Sequence, residues 1–188
     1  MTPQQQLASH QRMKKVVVLD RDGTIVVDRH YLADPEALEF EADAESGLRR
    51  MSELGYRLVI ITNQSGIARG LFSVSKLEEI HQRLRLMLHE IGVPLAGIYY
   101  CPHGQKDACE CRKPNLGLMR QAAEELGFDS SESIVIGDKE SDVEFGRRAG
   151  AVTMLIAKSA SRSVPSTAAD YIVESLKEAA DIIARRTR

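Results

Sequence analysis

No stretch of the 188-residue chain comes near the roughly 20 consecutive apolar residues of a membrane span. The opening, Met1 to Lys15, lacks the apolar core of a secretory signal. A cytoplasmic protein is therefore expected, with a loose tail over 1–13 ahead of a single domain over 14–188. Charge of one sign is not in excess either. Lys and Arg number 25 against 27 Asp and Glu, a net charge of −2, so no general basic field exists to draw nucleic acid. The basic end, Ala184 to Arg188, suits a helix terminus in solvent. There is no internal repeat and no low-complexity tract. Cysteine is scarce, with only Cys101, Cys109 and Cys111. An odd count without a signal argues against a disulfide framework, and one residue between Cys109 and Cys111 is not the spacing of a redox pair. What is present is ordinary for a globular protein: 43% hydrophobic and 28% charged residues, in a chain long enough for one sizeable core.

Two kinds of segment alternate. Apolar runs at 15–20, 57–61, 96–100, 132–136, 151–156 and 170–173 read as buried strands of a parallel sheet. Helical periodicity covers 43–54, 75–92, 116–126, 140–149 and 174–186. The first of these places Ala44, Leu48, Met51 and Leu54 on one face. The second starts at a Ser75 cap with Glu78 three places on, turns Leu77, Ile80, Leu84, Met87, Leu88 and Ile91 inward, and stops at Gly92. Such alternation implies an α/β fold, a doubly wound parallel sheet of Rossmann-like type with right-handed crossovers. Ligands in these folds bind beyond the carboxyl ends of the strands.

The residues after those strands carry the chemistry. Asp20-Arg21-Asp22-Gly23-Thr24 follows the first, Thr62-Asn63-Gln64-Ser65 the second, and Gly137-Asp138-Lys139-Glu140-Ser141-Asp142 the 132–136 run. Arg112-Lys113-Pro114 comes a short loop after the 96–100 run. Three carboxylates, a hydroxyl and a lysine are thus expected at one sheet edge, where desolvation is costly unless the charges pair or hold a metal.

Taken in this order, the four segments resemble the motifs of the haloacid dehalogenase superfamily, phosphatase branch, over residues 15–156. The resemblance implies a magnesium-dependent phosphatase. Asp20 would attack phosphorus and form an aspartyl phosphate, and Asp22 would be general acid and then general base. That second role needs Asp22 protonated, which a neighbouring carboxylate would favour by repulsion. Thr62 and the amide of Asn63 would hold phosphate oxygens, and Lys113 would neutralise the transferring group. The implied ligands of Mg²⁺, a hard cation that prefers oxygen, are Asp20, the Asp22 carbonyl and Asp138. Asp142, one helical turn on, would support that shell or simply cap a helix start.

Cys101, His103, Cys109 and Cys111 form a set of three thiols and one imidazole, suited to a closed tetrahedral Zn²⁺ site of structural type. Such a loop would fix the stretch that leads directly into Arg112 and Lys113.

Within the superfamily the chain resembles two zinc-loop families that lack a large cap domain, the heptose-bisphosphate phosphatases and the histidinol-phosphate phosphatases. Thr62 to Phe72, the Asp28/Tyr31 pair and Gly137 to Asp142 follow the heptose-bisphosphate pattern. On that resemblance Asp28, Arg29, His30, Tyr31, Asn63, Gln64, Ser65, Arg112 and Lys139 would bind a small phosphorylated sugar, with Arg112 clamping a second phosphate. The implied place is the route to nucleotide-activated heptose for cell-surface glycans such as lipopolysaccharide. The alternatives are histidinol phosphate or another small ester, and a non-enzymatic zinc-loop interaction module. The intact Asp20, Asp22, Lys113 and Asp138 weigh against the last. Val26, Leu116 and Leu118 depart from the residues usual in the family. Neither a nucleic-acid nor a membrane partner is expected, and an open site suits a monomer.

Overall fold

The computed structural model describes residues 15–158 and 167–186. The expected tail over 1–13, and the last two residues of the basic end, lie outside them. Among the described residues six strands and five helices follow in the order β1 (Val16–Leu19), α1 (Ala44–Glu53), β2 (Arg57–Asn63), α2 (Val74–Glu90), β3 (Leu95–Cys101), α3 (Gly117–Leu126), β4 (Ile134–Gly137), α4 (Glu140–Arg148), β5 (Val152–Ile156), β6 (Tyr171–Val173) and α5 (Leu176–Arg186). The strands form one parallel sheet in the order β3-β2-β1-β4-β5-β6. The chain winds outward from β1 in one direction, then returns and winds the other way from β4. The crevice between the carboxyl ends of β1 and β4 is therefore the topological switch point.

The strands are apolar on both faces because both faces are covered. Val17, Leu19, Leu58, Ile60 and Ile136 face one core, closed by α1, α2 and α5. Val16, Val18, Val59, Ile61 and Val135 face the other, closed by α3 and α4. Alternate residues of one strand thus feed two separate hydrophobic layers.

Element boundaries fall within one or two residues of the expected ones, and two of the shifts have a clear cause. The cap of α2 is Ser73, whose side chain accepts from the Lys76 N–H at 3.1 Å; Ser75 sits inside the first turn. The Ser75/Glu78 spacing imitates a capping box, but the extended backbone needed for a cap falls at Ser73. The strand expected at 132–136 begins at Ile134, because Ser130–Glu132 forms a 3-10 turn capped by Asp129. Gly92, with a φ of +71°, takes the left-handed step that ends α2.

No helical insert covers the switch point among the described residues. The chain from Gly23 to Phe40 is a flap closed at its base by bridges of Val26 to Asp22 and Phe40, with one 3-10 turn at Pro35–Ala37. Val26 is fully buried there and Leu118 is buried under α3, so two of the three departures from the family pattern are core residues.

Candidate active site

β1 delivers Asp20 to the crevice, with its N–H bonded to the Ile136 carbonyl at 3.0 Å across to β4. Its carboxylate is buried and meets Lys113, whose Nζ lies 2.8 Å from Asp20 Oδ1 and 2.7 Å from Asp142 Oδ1. The same ammonium donates to the Ile61 carbonyl at 2.7 Å. Lys113 reaches this point because Asn63, at the end of β2, grips its backbone. Asn63 Oδ1 accepts from the Lys113 N–H at 3.0 Å, and Nδ2 donates to the Lys113 carbonyl at 3.3 Å. Burial alone would push the Asp20 carboxyl up. The charge and hydrogen bond of Lys113, helped by Lys139 and the Arg21 N–H, outweigh it and hold Asp20 below the usual carboxylate range. For Lys113 the desolvation cost is likewise overcome, by Asp142 and Asp20, and the ammonium stays charged. Asp20 is an ionised carboxylate held for use.

Asp20, Asp138 and Asp142 each offer an oxygen within 4.8 Å of the others. Burial, with the negative charge of Asp20 and Asp142 added, raises Asp138 to about 6 against the pull of Lys139. Burial also raises Asp142, against Lys113. Asp138 Oδ1 is buried without a hydrogen bond. A Cβ at Gly23, whose φ is +80°, would meet Asp138 Oδ2 at 2.4 Å, so the Asp22–Gly23 backbone must run against that carboxylate. Crowded, underpaired, hard oxygen donors fit a small divalent cation. Asp142 caps the start of α4, its Oδ2 accepting from the Lys139 N–H at 3.1 Å, while its Oδ1 pairs with Lys113.

The like-charged neighbour expected beside Asp22 is not among its contacts. Its carboxylate takes Arg21 Nη2 at 2.9 Å, Arg21 Nε at 3.1 Å and Gln64 Nε2 at 2.9 Å. Gln64 also donates to Thr62 Oγ1 at 3.0 Å and accepts from Arg21 Nη2 at 3.1 Å. So the Gln64 amide, expected to touch substrate, instead ties Asp22 to Thr62, although the residue still walls the cavity. Arg21 is 1% exposed and was missed in the motif, where it reads as a spacer between two acids. Its only sequence signal is a cation set between the two acids that close an apolar run.

A cavity of about 480 Å³ opens over these groups. Asp28, His30 and Tyr31 of the flap wall it, with Ser65, Arg112 and Lys139 on other sides. His30 and Tyr31 both have positive φ, 48° and 66°, and the Asp28 side chain accepts from the His30 N–H at 2.9 Å. Lys139 Nζ lies 3.6 Å from both Asp28 and Asp138. Arg29 is the exception. It does not wall the cavity, and its guanidinium pairs with Glu39 on the outer side of the flap at 2.5 Å.

Cys101, the last residue of β3, and His103, Cys109 and Cys111 in the loop that follows bring their donor atoms together. Cys101 Sγ lies 3.0 Å from Cys111 Sγ and 3.7 Å from Cys109 Sγ, and His103 Nδ1 lies 3.1 Å from Cys111 Sγ. The thiols are free. Three sulfurs and a nitrogen within 4.8 Å of one another, with no disulfide, form a cluster that could hold one metal ion. Arg112 Nη1 donates to the His103 carbonyl at 3.1 Å, which joins this loop to the cavity wall.

A doubly wound sheet with two acids after β1, a lysine against the first of them and further acids after β4 defines a hydrolase of the haloacid dehalogenase type. The HAD-hydrolase-like family model matches residues 110–179. The chain is 37% identical over 182 residues to D-glycero-beta-D-manno-heptose-1,7-bisphosphate 7-phosphatase of Haemophilus influenzae, covering 92% of this chain and 98% of that one. It is 44% identical over 135 residues to a probable D-glycero-D-manno-heptose-1,7-bisphosphate 7-phosphatase of Thermoplasma volcanium, 71% and 92% of the two chains. Among solved structures it resembles D,D-heptose 1,7-bisphosphate phosphatase of B. bronchiseptica, complexed with magnesium and phosphate, at a TM-score of 0.80 and 28% identity over 92% of this chain and 99% of that one. The chain belongs to the D-glycero-D-manno-heptose-1,7-bisphosphate 7-phosphatase family.

Proposed function

We propose that the chain removes the 7-phosphate of D-glycero-D-manno-heptose 1,7-bisphosphate through an aspartyl phosphate on Asp20, as a monomer in the cytoplasm and in the supply of activated heptose for cell-surface glycans. The observation that carries the chemistry is the ionised Asp20 carboxylate, buried between Lys113 and the Asp138/Asp142 pair below an open cavity. The relatives' activity supports the substrate. No helix among the described residues is long and apolar enough to cross a membrane.

In the first step an Asp20 oxygen bonds to phosphorus, the bond from phosphorus to the sugar oxygen breaks, and Asp22 gives its proton to that oxygen. In the second step Asp22 takes a proton from water, the water oxygen bonds to phosphorus, and the bond from phosphorus to Asp20 breaks, releasing inorganic phosphate. Lys113 offsets the charge on the transferring group, and the Thr62 hydroxyl and Asn63 N–H orient its oxygens. Asp20, Asp138 and the Asp22 carbonyl would hold Mg²⁺, which when bound offsets negative charge on the phosphoryl oxygens. The Cys101/His103/Cys109/Cys111 set would hold Zn²⁺ and fix the position of Arg112 and Lys113. Asp28, His30, Tyr31, Ser65, Arg112 and Lys139 would grip the sugar and its second phosphate.

The test compares kcat/KM on heptose bisphosphate and on histidinol phosphate with Mg²⁺, for wild type and Asp20→Asn. Preference for the heptose, lost in Asp20→Asn, is expected. Preference for histidinol phosphate would move the substrate, and unaltered turnover in Asp20→Asn would remove the mechanism.

A further inference from the structure

α2 carries a histidine into the core, behind the acid–base residue. His81 is 8% exposed, and its Nε2 lies 3.3 Å from Arg21 Nη1. A guanidinium can only donate, so Nε2 must accept and the ring must be neutral, with its proton on Nδ1. Burial, and the positive charge of Arg21 and Arg85, act in the same sense and lower its pKa to about 3. The ring's other neighbour is Tyr100, edge-on with centroids 5.7 Å apart. On its opposite side the same guanidinium grips both oxygens of Asp22 and the Gln64 carbonyl oxygen. Gln64 then closes onto Asp22 and Thr62.

We propose that His81 is a positioning residue for proton transfer: it seats Arg21, and Arg21 with Gln64 sets the place and angle of the Asp22 carboxyl over the substrate. A fully buried arginine has five donors to satisfy. Without the imidazole acceptor, Nη1 loses a partner in a dry site, and the guanidinium has reason to turn toward water or other acceptors and take Asp22 with it. Proton transfer depends steeply on such placement, whereas the attack by Asp20, fixed separately by Lys113, does not. The inference rests on Asp22 being the acid and base of the proposed reaction.

The test separates the two steps. p-Nitrophenyl phosphate has a leaving group that needs little protonation, so its first turnover needs no acid, while release of phosphate from Asp20 still needs the base. In His81→Leu, the p-nitrophenolate burst is expected to keep its wild-type rate within about 3-fold, while steady-state turnover and kcat on an alkyl phosphate fall roughly 10- to 100-fold with little change in KM. His81→Gln, which can still accept from Arg21, is expected to recover most of that loss. A general loss of folding would lower burst and steady state together and would not be rescued by Gln. Wild-type kcat in His81→Leu, an equal loss in both phases, or failure of the Gln variant to recover would each overturn the proposal. If Asp20→Asn still turned over p-nitrophenyl phosphate, the underlying reaction, rather than the part played by His81, would have failed.

Discussion

The two groups of potential metal ligands are held in opposite ways. Asp20 and Asp138 lie at the ends of adjacent parallel strands, and Asp142 sits in the first turn of α4, so backbone hydrogen bonds and two hydrophobic cores place them. The Cys101/His103/Cys109/Cys111 set has one ligand at the end of β3 and three in a loop of turns without regular structure. The sheet and α4 place their carboxylates through backbone and core, and only the buried charge calls for Lys113. The loop has only its own ligands and a few bonds such as Asn115 Nδ2 to the Cys109 carbonyl at 2.7 Å. Lys113 is where the two regions meet, because it leaves the loop and ends against Asp20.

The strongest test of the sheet-borne half is Asp20→Asn, which should lower kcat roughly 10⁴-fold or more in steady-state phosphate release while leaving thermal unfolding nearly unchanged. Lys113→Met should cost roughly 10²- to 10³-fold in kcat. It should also destabilise the fold by about 3–5 kcal/mol in denaturant melts, because Asp20 and Asp142 are then buried without their cation. Equal damage to stability from both substitutions would break the contrast between nucleophile and clamp.

The loop-borne half should respond to metal removal. Stripping metal from the thiol cluster with Mg²⁺ restored to the assay, or Cys109→Ala, is expected to lower kcat about 10- to 100-fold by loosening Lys113, while far-UV circular dichroism of the sheet and helices stays near wild type. Full turnover in chelated Cys109→Ala would show that the loop does not set the position of Lys113. The flap offers a finer comparison. Lys139→Ala should raise KM about 10-fold, whereas Arg29→Ala, directed away from the cavity, should leave KM within about 2-fold of wild type.

The smallest effect is a pH dependence. His81 falls from 6.5 to about 3 on folding, so between these values the unfolded chain binds more protons than the folded one. Stability should therefore decline as pH falls from about 6.5 toward 3. Asp138, raised to about 6 by burial and its acidic neighbours, acts in the opposite sense below that pH. The difference between wild type and His81→Gln in metal-free melts isolates the histidine, and wild type should lose more stability between pH 7 and 5. Parallel curves would mean that His81 is not held neutral.

Much of this site was legible because its chemistry sits at strand ends. Asp20, Thr62 and Asp138 each follow an apolar run, and parallel α/β topology sends such positions to one edge. The zinc-type set was legible from spacing, and the structure brings its four donors together. Other features were not. Arg29 reads as a neighbour of Asp28 and Tyr31, yet its guanidinium pairs with Glu39 and does not wall the cavity. Ser75 has the better capping pattern, yet the helix begins at Val74. Gln64 reads as a substrate contact, yet its amide is taken by Asp22, Thr62 and Arg21.

The amino-acid sequence by itself determined the strand–helix alternation, the two-faced core and the order of the chemical motifs along the chain, because these follow from local periodicity and residue type. Only the tertiary structure decided what each charged group touches. Arg21 and His81 are 60 positions apart, and Lys113 and Asp20 are 93 apart. Their pairing depends on how α2 and the loop after β3 pack over the sheet, and on the cost of burying a charge without a partner. Neither is written in local spacing.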